Sequence, residues 1–167
     1  MSVDILVRPA RTGDVRAIRS LIDVYSPDGR LLSKATVTLF EDIQEFLVAE
    51  IDGRIVGCGA FHVMWEDLGE VRTLAVDPDL AGRGIGSTLL VALMERARAV
   101  GVRRVFCLTF AVPFFERHGF VEIDDTPVEH DVYEQLLQSY DEGVAEFLGL
   151  ERVKPNTLGN HRMLATL

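Results

Sequence analysis

A single mixed α/β domain, with one central β-sheet flanked by helices, is the fold class this sequence predicts, and three observations predict it. The chain has 167 residues, enough for one core of ordinary domain size and too few for a second, so the domain is expected to span 1–167. Apolar, β-branched runs alternate with segments whose apolar residues recur every three or four positions, the mixture that lays helices on a sheet. A glycine-rich turn, holding Gly82, Gly84 and Gly86, stands between one such run and the longest helical segment.

Ile5 to Arg8 reads as a short strand, and Asp14 to Val24 places Val15, Ile18, Leu21 and Ile22 on one helical face. After a loop with Pro27, Asp28 and Gly29, the stretch from Thr36 sets Val37, Phe40 and Ile43 at helical spacing. Thr36 is the candidate cap of that short helix. Phe46 to Ile51 and Arg54 to Trp65 are apolar runs joined by Asp52-Gly53, a strong hairpin signal because both residues tolerate positive φ. Glu70 to Val76 is expected to form a further strand, stopped by Asp77-Pro78 because proline cannot extend a central ladder.

From Ile85 to Val100 the residues Leu89, Leu90, Leu93, Met94 and Ala97 recur at three and four, until Gly101 ends the helix. Arg104 to Thr109 reads as a buried strand, Val112 to His118 as a short helix, and Phe120 to Ile123 as a strand reached through Gly119. In the tail, His130 to Tyr140 and Val144 to Leu148 carry a helical pattern, and Arg162 to Leu167 is expected to close the sheet.

The charge balance excludes one class of partner. Seventeen Lys and Arg stand against 26 Asp and Glu, a formal net charge of -9, whereas binding to nucleic acid depends on many cations releasing phosphate counterions. No run approaches the roughly 20 apolar residues of a membrane span, and Arg8 and Arg11 interrupt the start of the chain. A cytoplasmic protein without a membrane partner is expected. Cys58 and Cys107 sit in apolar runs without C-x-x-C spacing, as reduced core thiols do. His62, His118, His130 and His161 lack metal-ligand spacing, so no metal is implied. Phe61, Trp65, Phe114 and Phe115 read as core or pocket wall.

Any anionic ligand of so acidic a chain must be held by local donors. The segment VRTLAVDPDLAGRGIGSTLL, Val71 to Leu90, offers them. Gly82, Gly84 and Gly86 remove Cβ atoms from the turn, so that successive backbone N–H groups face a bulky anion at the positive end of a helix dipole. That arrangement suits a pyrophosphate. The Lys-Ser/Thr pair of a P-loop is absent, and so is the early strand-turn-helix context of a dinucleotide fold.

With these residues in view, the chain resembles the GNAT superfamily of acetyltransferases, whose coenzyme A loop reads Gln/Arg-x-x-Gly-x-Gly/Ala after a strand ending in V-x-P. The match falls on Ala81 to Gly86, with Ala81 where Gln or Arg is usual. FFERHGF, Phe114 to Phe120, is similar to the family's xYExxGF segment. A narrower likeness, through LLSKATVTLFEDIQEFLVAE, GCGAFH, LGEVRTLAV, FCLTF and VKPNTLGNHRML, is to the stand-alone N-acetylglutamate synthases, amino-acid N-acetyltransferases that open bacterial arginine synthesis. That form lacks the kinase-like domain of longer synthases, so arginine feedback through such a domain is not expected.

The resemblance implies acetyl-coenzyme A as co-substrate and a small amino acid as partner, glutamate first and glutamine next. A homodimer is one assembly open to such a chain. The cofactor-binding residues are then Gly82, Arg83, Gly84, Ile85, Gly86 and Ser87. The backbone of Leu74, Ala75 and Val76 would pair with the pantetheine arm, and one of its N–H groups would face the thioester oxygen. An ammonium must lose a proton before it attacks, and Glu70 takes the role of base; its alternative is a solvated strand-end carboxylate. Phe115 replaces the Tyr that many members use as acid, so the resemblance moves that role to Thr109, whose alternative is to bridge backbone at its strand end. Lys34, Arg72, Asn160 and Arg162 are the candidates for the substrate's carboxylates, each cation being otherwise a surface charge. Two rival functions stay open: acetylation of another amino acid or a polyamine, and a non-catalytic module that senses acyl-coenzyme A.

Overall fold

A computed structural model describes residues 4–26, 35–150 and 160–167. Its strands are β1 (Leu6–Pro9), β2 (Phe46–Ile51), β3 (Arg54–Trp65), β4 (Leu68–Val76), β5 (Arg104–Thr109), β6 (Phe120–Glu122) and β7 (His161–Thr166). Its helices are α1 (Val15–Tyr25), α2 (Thr36–Glu41), α3 (Ile85–Val100), α4 (Val112–Glu116), α5 (His130–Leu136) and α6 (Glu142–Leu148). The strands form one mixed sheet in the order β1-β2-β3-β4-β5-β7-β6. The β4–β5 pair is parallel, whereas β1–β2, β2–β3, β5–β7 and β6–β7 are antiparallel. The predicted mixed α/β sheet with flanking helices is thus present.

The described residues gather into two compact units, one from Met1–His62 and Val71–Arg96, the other from Val63–Glu70 and Ala97–Leu167. In the first, Val15, Ile18, Leu21 and Ile22 of α1 join Leu39, Ile43, Phe46, Val48, Cys58, Ala60 and Ala75 in a buried cluster. The helical spacing of the α1 residues is what turns them to that side. The β2–β3 turn has Asp52 at φ 51° and Gly53 at φ 77°, the left-handed pair a two-residue hairpin requires. Helix α3 ends at Gly101, φ 108°, where the sequence places the stop.

In the second unit, Met64, Leu68, Phe106, Leu136, Val144, Phe147 and Leu148 form the buried cluster. The Phe106 and Phe147 rings meet edge to face at 5.1 Å. Asp141 accepts a hydrogen bond from the Val144 N–H at 3.0 Å, which caps α6, and Gly149 at φ 71° ends it.

Several boundaries differ from the sequence reading. Strand β4 begins two residues earlier, at Leu68, because its first residues pair with β5. Helix α4 stops at Glu116, where the His118 N–H turns to the Phe115 carbonyl at 2.9 Å. Helix α5 stops at Leu136, and Tyr140, expected within it, is 97% exposed. Strand β7 joins the sheet as expected, beginning at His161 and lying between β5 and β6, with Met163 and Ala165 buried. Its alternation fits a strand, but nothing local announces which neighbours it takes.

Candidate active site

In the first unit the outer half of β4 runs from Val71 to Val76 into the glycine turn. Within the strand Thr73 has φ 57°, a rare conformation for a β-branched residue, and the residue is 8% exposed. A left-handed residue turns the backbone that follows it, here the groups of Leu74, Ala75 and Val76. The Val76 carbonyl accepts from the Tyr25 hydroxyl, and the Asp77 N–H donates to the Val56 carbonyl at 2.8 Å. Asp77 pairs with Arg54 and accepts from the Asp79 N–H at 3.0 Å, fixing the short 3-10 turn Pro78–Leu80.

Beyond it Gly82 has φ 80° and Gly84 φ 81°. A Cβ built on either would meet nothing within 4 Å, so conformation rather than crowding calls for glycine there. The Gly84 carbonyl accepts from both the Thr88 N–H at 3.0 Å and the Thr88 hydroxyl at 2.8 Å, starting α3. The N–H groups of a helix's first turn have no intrahelical acceptor, and a sixteen-residue helix adds the positive end of its dipole. These donors fit a pyrophosphate. Arg83 is exposed beside them, Ile85 is buried, and Gly86 and Ser87 are half-buried.

In the second unit β4 and β5 pair in parallel from Leu68 opposite Arg104 to Glu70 opposite Phe106, while β5 runs on to Thr109. Glu70 is 3% exposed, which removes its reading as a solvated strand-end carboxylate. A buried carboxylate is retained where it has a task or a partner. Thr109 accepts from the Ala111 N–H at 2.8 Å, the bridging anticipated for it, and a hydroxyl that accepts keeps its own O–H to donate. Phe115 is buried, edge to face with Phe114 and Phe120 at 5.1 Å each.

The predicted substrate residues fare differently. Arg72, half-buried, follows Glu70 on β4. Arg162 donates to the carbonyls of Asp125 at 2.8 Å and Phe147 at 2.5 Å, and its guanidinium lies 5.6 Å from the Phe106 ring centroid. Burial lowers its pKa, against the pull of Asp125 and Asp124. The side-chain oxygen of Asn160 and the Nε of Arg162 are buried without hydrogen-bond partners among the described residues. Lys34 lies outside the described residues. A hollow of about 490 Å3 lined by Trp65, Asp67, Arg104, Pro127, Val128, Glu129 and Val132 contains none of the predicted site residues.

Cys58 and Cys107 are free and buried, as expected. His62 meets Glu45 at 2.6 Å, His130 meets Glu134 and His161 meets Glu122, each at 3.1 Å. No cluster able to hold a metal ion occurs among the described residues, and none of their helices is long and apolar enough to cross a membrane.

The model of the acetyltransferase (GNAT) family matches residues 16–120. An amino-acid acetyltransferase of Mycobacterium tuberculosis is 55% identical over 166 residues, 97% of this chain and 94% of that protein. The chain belongs to the GNAT acetyltransferase family. As a GNAT acetyltransferase it is similar to a crystal structure from Mycobacterium tuberculosis in complex with CoA and NLQ, at TM-score 0.92 and 55% identity, covering 97% of this chain and 99% of that one. It is similar also to N-acetylglutamate synthase from Neisseria gonorrhoeae complexed with coenzyme A and N-acetyl-glutamate, at TM-score 0.81 and 25% identity, over 100% of this chain and 36% of that one.

The sequence reading of this GNAT enzyme missed Thr73, Tyr25 and the Arg54–Asp77 pair. Thr is a strand former and gives no sign of a left-handed φ. Arg54 and Asp77 each stand at a strand end, which was the available signal.

Proposed function

We propose that this acetyltransferase transfers the acetyl group of acetyl-coenzyme A to the α-amino group of L-glutamate, giving N-acetylglutamate for arginine synthesis in the cytoplasm. The observation that carries the reading is the glycine turn that opens α3, with Gly82 and Gly84 at left-handed φ; the burial of Glu70 supports it. The chain's likeness to an amino-acid acetyltransferase and to an N-acetylglutamate synthase supports the choice of substrate.

Acetyl-coenzyme A, when bound, supplies an acyl group activated as a thioester. The N–H groups of Gly82 to Ser87 hold its pyrophosphate, with Arg83 reaching a phosphate oxygen. The backbone of Leu74 to Val76 pairs with the pantetheine arm and turns one N–H toward the thioester oxygen, where charge develops. Glu70 takes the proton from the substrate ammonium, directly or through one water, so that the nitrogen attacks with its lone pair. Thr109 donates to the departing thiolate. Arg72, Arg162, Asn160 and Lys34 receive the two carboxylates of glutamate, neutralising charge that an acidic chain would otherwise repel. Both substrates are bound together and no acyl-enzyme forms.

A thiol-release assay with acetyl-coenzyme A across L-glutamate, L-glutamine, the other amino acids and polyamines tests the reading, repeated on Glu70→Gln. Release with L-glutamate that drops by roughly 10²- to 10⁴-fold in the variant, the span of general-base catalysis, is the expected result. Release with polyamines alone would overturn the substrate class, and release indifferent to Glu70→Gln would overturn the base.

A further inference from the structure

The tripeptide Gly57-Cys58-Gly59 of β3 takes no part in the acetyl transfer itself, yet it meets the outer half of β4 with both of its faces. On one face, a Cβ on Gly57 would lie 2.8 Å from Leu89 Cδ1, 3.1 Å from Ile85 Cγ2 and 3.4 Å from the Ala75 carbonyl oxygen. A Cβ on Gly59 would lie 2.8 Å from Leu93 Cδ1 and 3.0 Å from Leu74 Cδ1. The missing methyls therefore leave room for the side chains of Leu89, Ile85 and Leu93 of α3 and of Leu74 of β4 to pack directly on β3, and a methyl at either position would make them shift. Ile85, which Gly57 admits, is the residue that opens α3 directly after the glycine turn.

Strand alternation turns Cys58 to the opposite face, where it is fully buried. Its S–H donates to the Thr73 carbonyl at 3.5 Å, and the Ala75 N–H faces the same sulfur. A left-handed residue disturbs the regular alternation of backbone donors and acceptors along a strand. A thiol, weak donor and weak acceptor at once, serves one group on each side of the disturbance.

We infer that Gly57, Cys58 and Gly59 are positioning residues for acetyl-coenzyme A, which fix the left-handed Thr73 and the seat of α3 and so aim the N–H groups of Leu74 to Val76 and of the glycine turn. The inference rests on the reading of β4 and that turn as the acetyl-coenzyme A site.

Hydrogen exchange of the free protein, together with steady-state kinetics, tests it. Cys58→Ala is expected to speed exchange at the Ala75 amide and to raise the KM for acetyl-coenzyme A roughly three- to tenfold, the ratio set by one lost hydrogen bond, with the amino-acid KM unchanged. Cys58→Ser, which keeps a donor and an acceptor, restores most of both. Gly59→Ala raises the same KM, and adding Leu93→Val, which makes room for the new methyl, brings it back. Val48→Ala, in the core of the same unit, is the destabilised control and leaves that KM alone. If the Cys58 and Gly59 variants only match Val48→Ala in exchange and keep the wild-type KM, the tripeptide is ordinary core and the inference fails. Failure of the reading beneath it shows separately, as wild-type protein that gives no calorimetric heat with acetyl-coenzyme A.

Discussion

Cys107, whose thiol is already pushed well up by burial, is pushed further by the negative charge of Glu70. The thiol lies 1% exposed on β5, one residue beyond the partner of Glu70 in the parallel ladder. Cys58, also buried, is pushed up to about 12.

Neither thiol can then act as a nucleophile near neutral pH, because the thiolate is the reactive form. Cys107→Ser is expected to lower the Tm, since it buries a hydroxyl, and to keep the acetyl-transfer rate of the folded protein, since no bond is made to the sulfur. Initial-rate plots against both substrates should intersect, and parallel lines would indicate an acylated enzyme. Thiol reagents should label the folded chain only at the pace of its unfolding.

Gly84→Ala places a Cβ in a left-handed position, a cost of about 1–2 kcal/mol, although nothing crowds it. The expected outcome is a modest fall in Tm with a raised KM for acetyl-coenzyme A and little change in the amino-acid KM. An unaltered acetyl-coenzyme A KM would detach the turn from the cofactor.

Arg8 grips Asp14 through two hydrogen bonds of 2.8 and 3.0 Å and reaches Glu50 at 2.9 Å. The Arg8 bonds hold the Asp14 carboxyl below its ordinary value, against the opposing effect of burial. A carboxylate depressed on folding contributes stability in full above its unfolded pKa and loses it as pH falls through the lower folded value. Arg8→Met is therefore expected to cost about 2 kcal/mol at neutral pH, as charged hydrogen bonds do. The deficit should shrink on acidification through the carboxylate range, followed by urea midpoints at each pH.

Arg162→Lys tests the clamp in the second unit. A single ammonium cannot reproduce a fork that reaches two carbonyls and lies on the Phe106 ring. Stability should fall by about 2 kcal/mol, and exchange at the amides of α6 should quicken before that of β2.

Much of this fold was legible because its signals are local. The Asp52-Gly53 hairpin, the apolar face of α1 and the span of α3 each rest on residues close in sequence, and each lies where its pattern puts it. The glycine turn was legible for the same reason. Thr73 was not, since its φ of 57° contradicts the preference of a β-branched residue. Glu70 could be picked out as a strand carboxylate, but its burial depends on partners across the sheet. Arg162 could be picked out as a cation suited to a carboxylate, but its bonds to the carbonyls of Asp125 and Phe147, remote in sequence, could not be read there.

The place of β7 between β5 and β6 has a temporal consequence. During synthesis both flanking strands emerge from the ribosome before the one that joins them, so neither gains its shared neighbour until β7 has been made. The second unit must wait for a distant segment, whereas α1 can already close over the β2–β3 hairpin, and the nascent protein is expected to mature in two stages separated by translation itself.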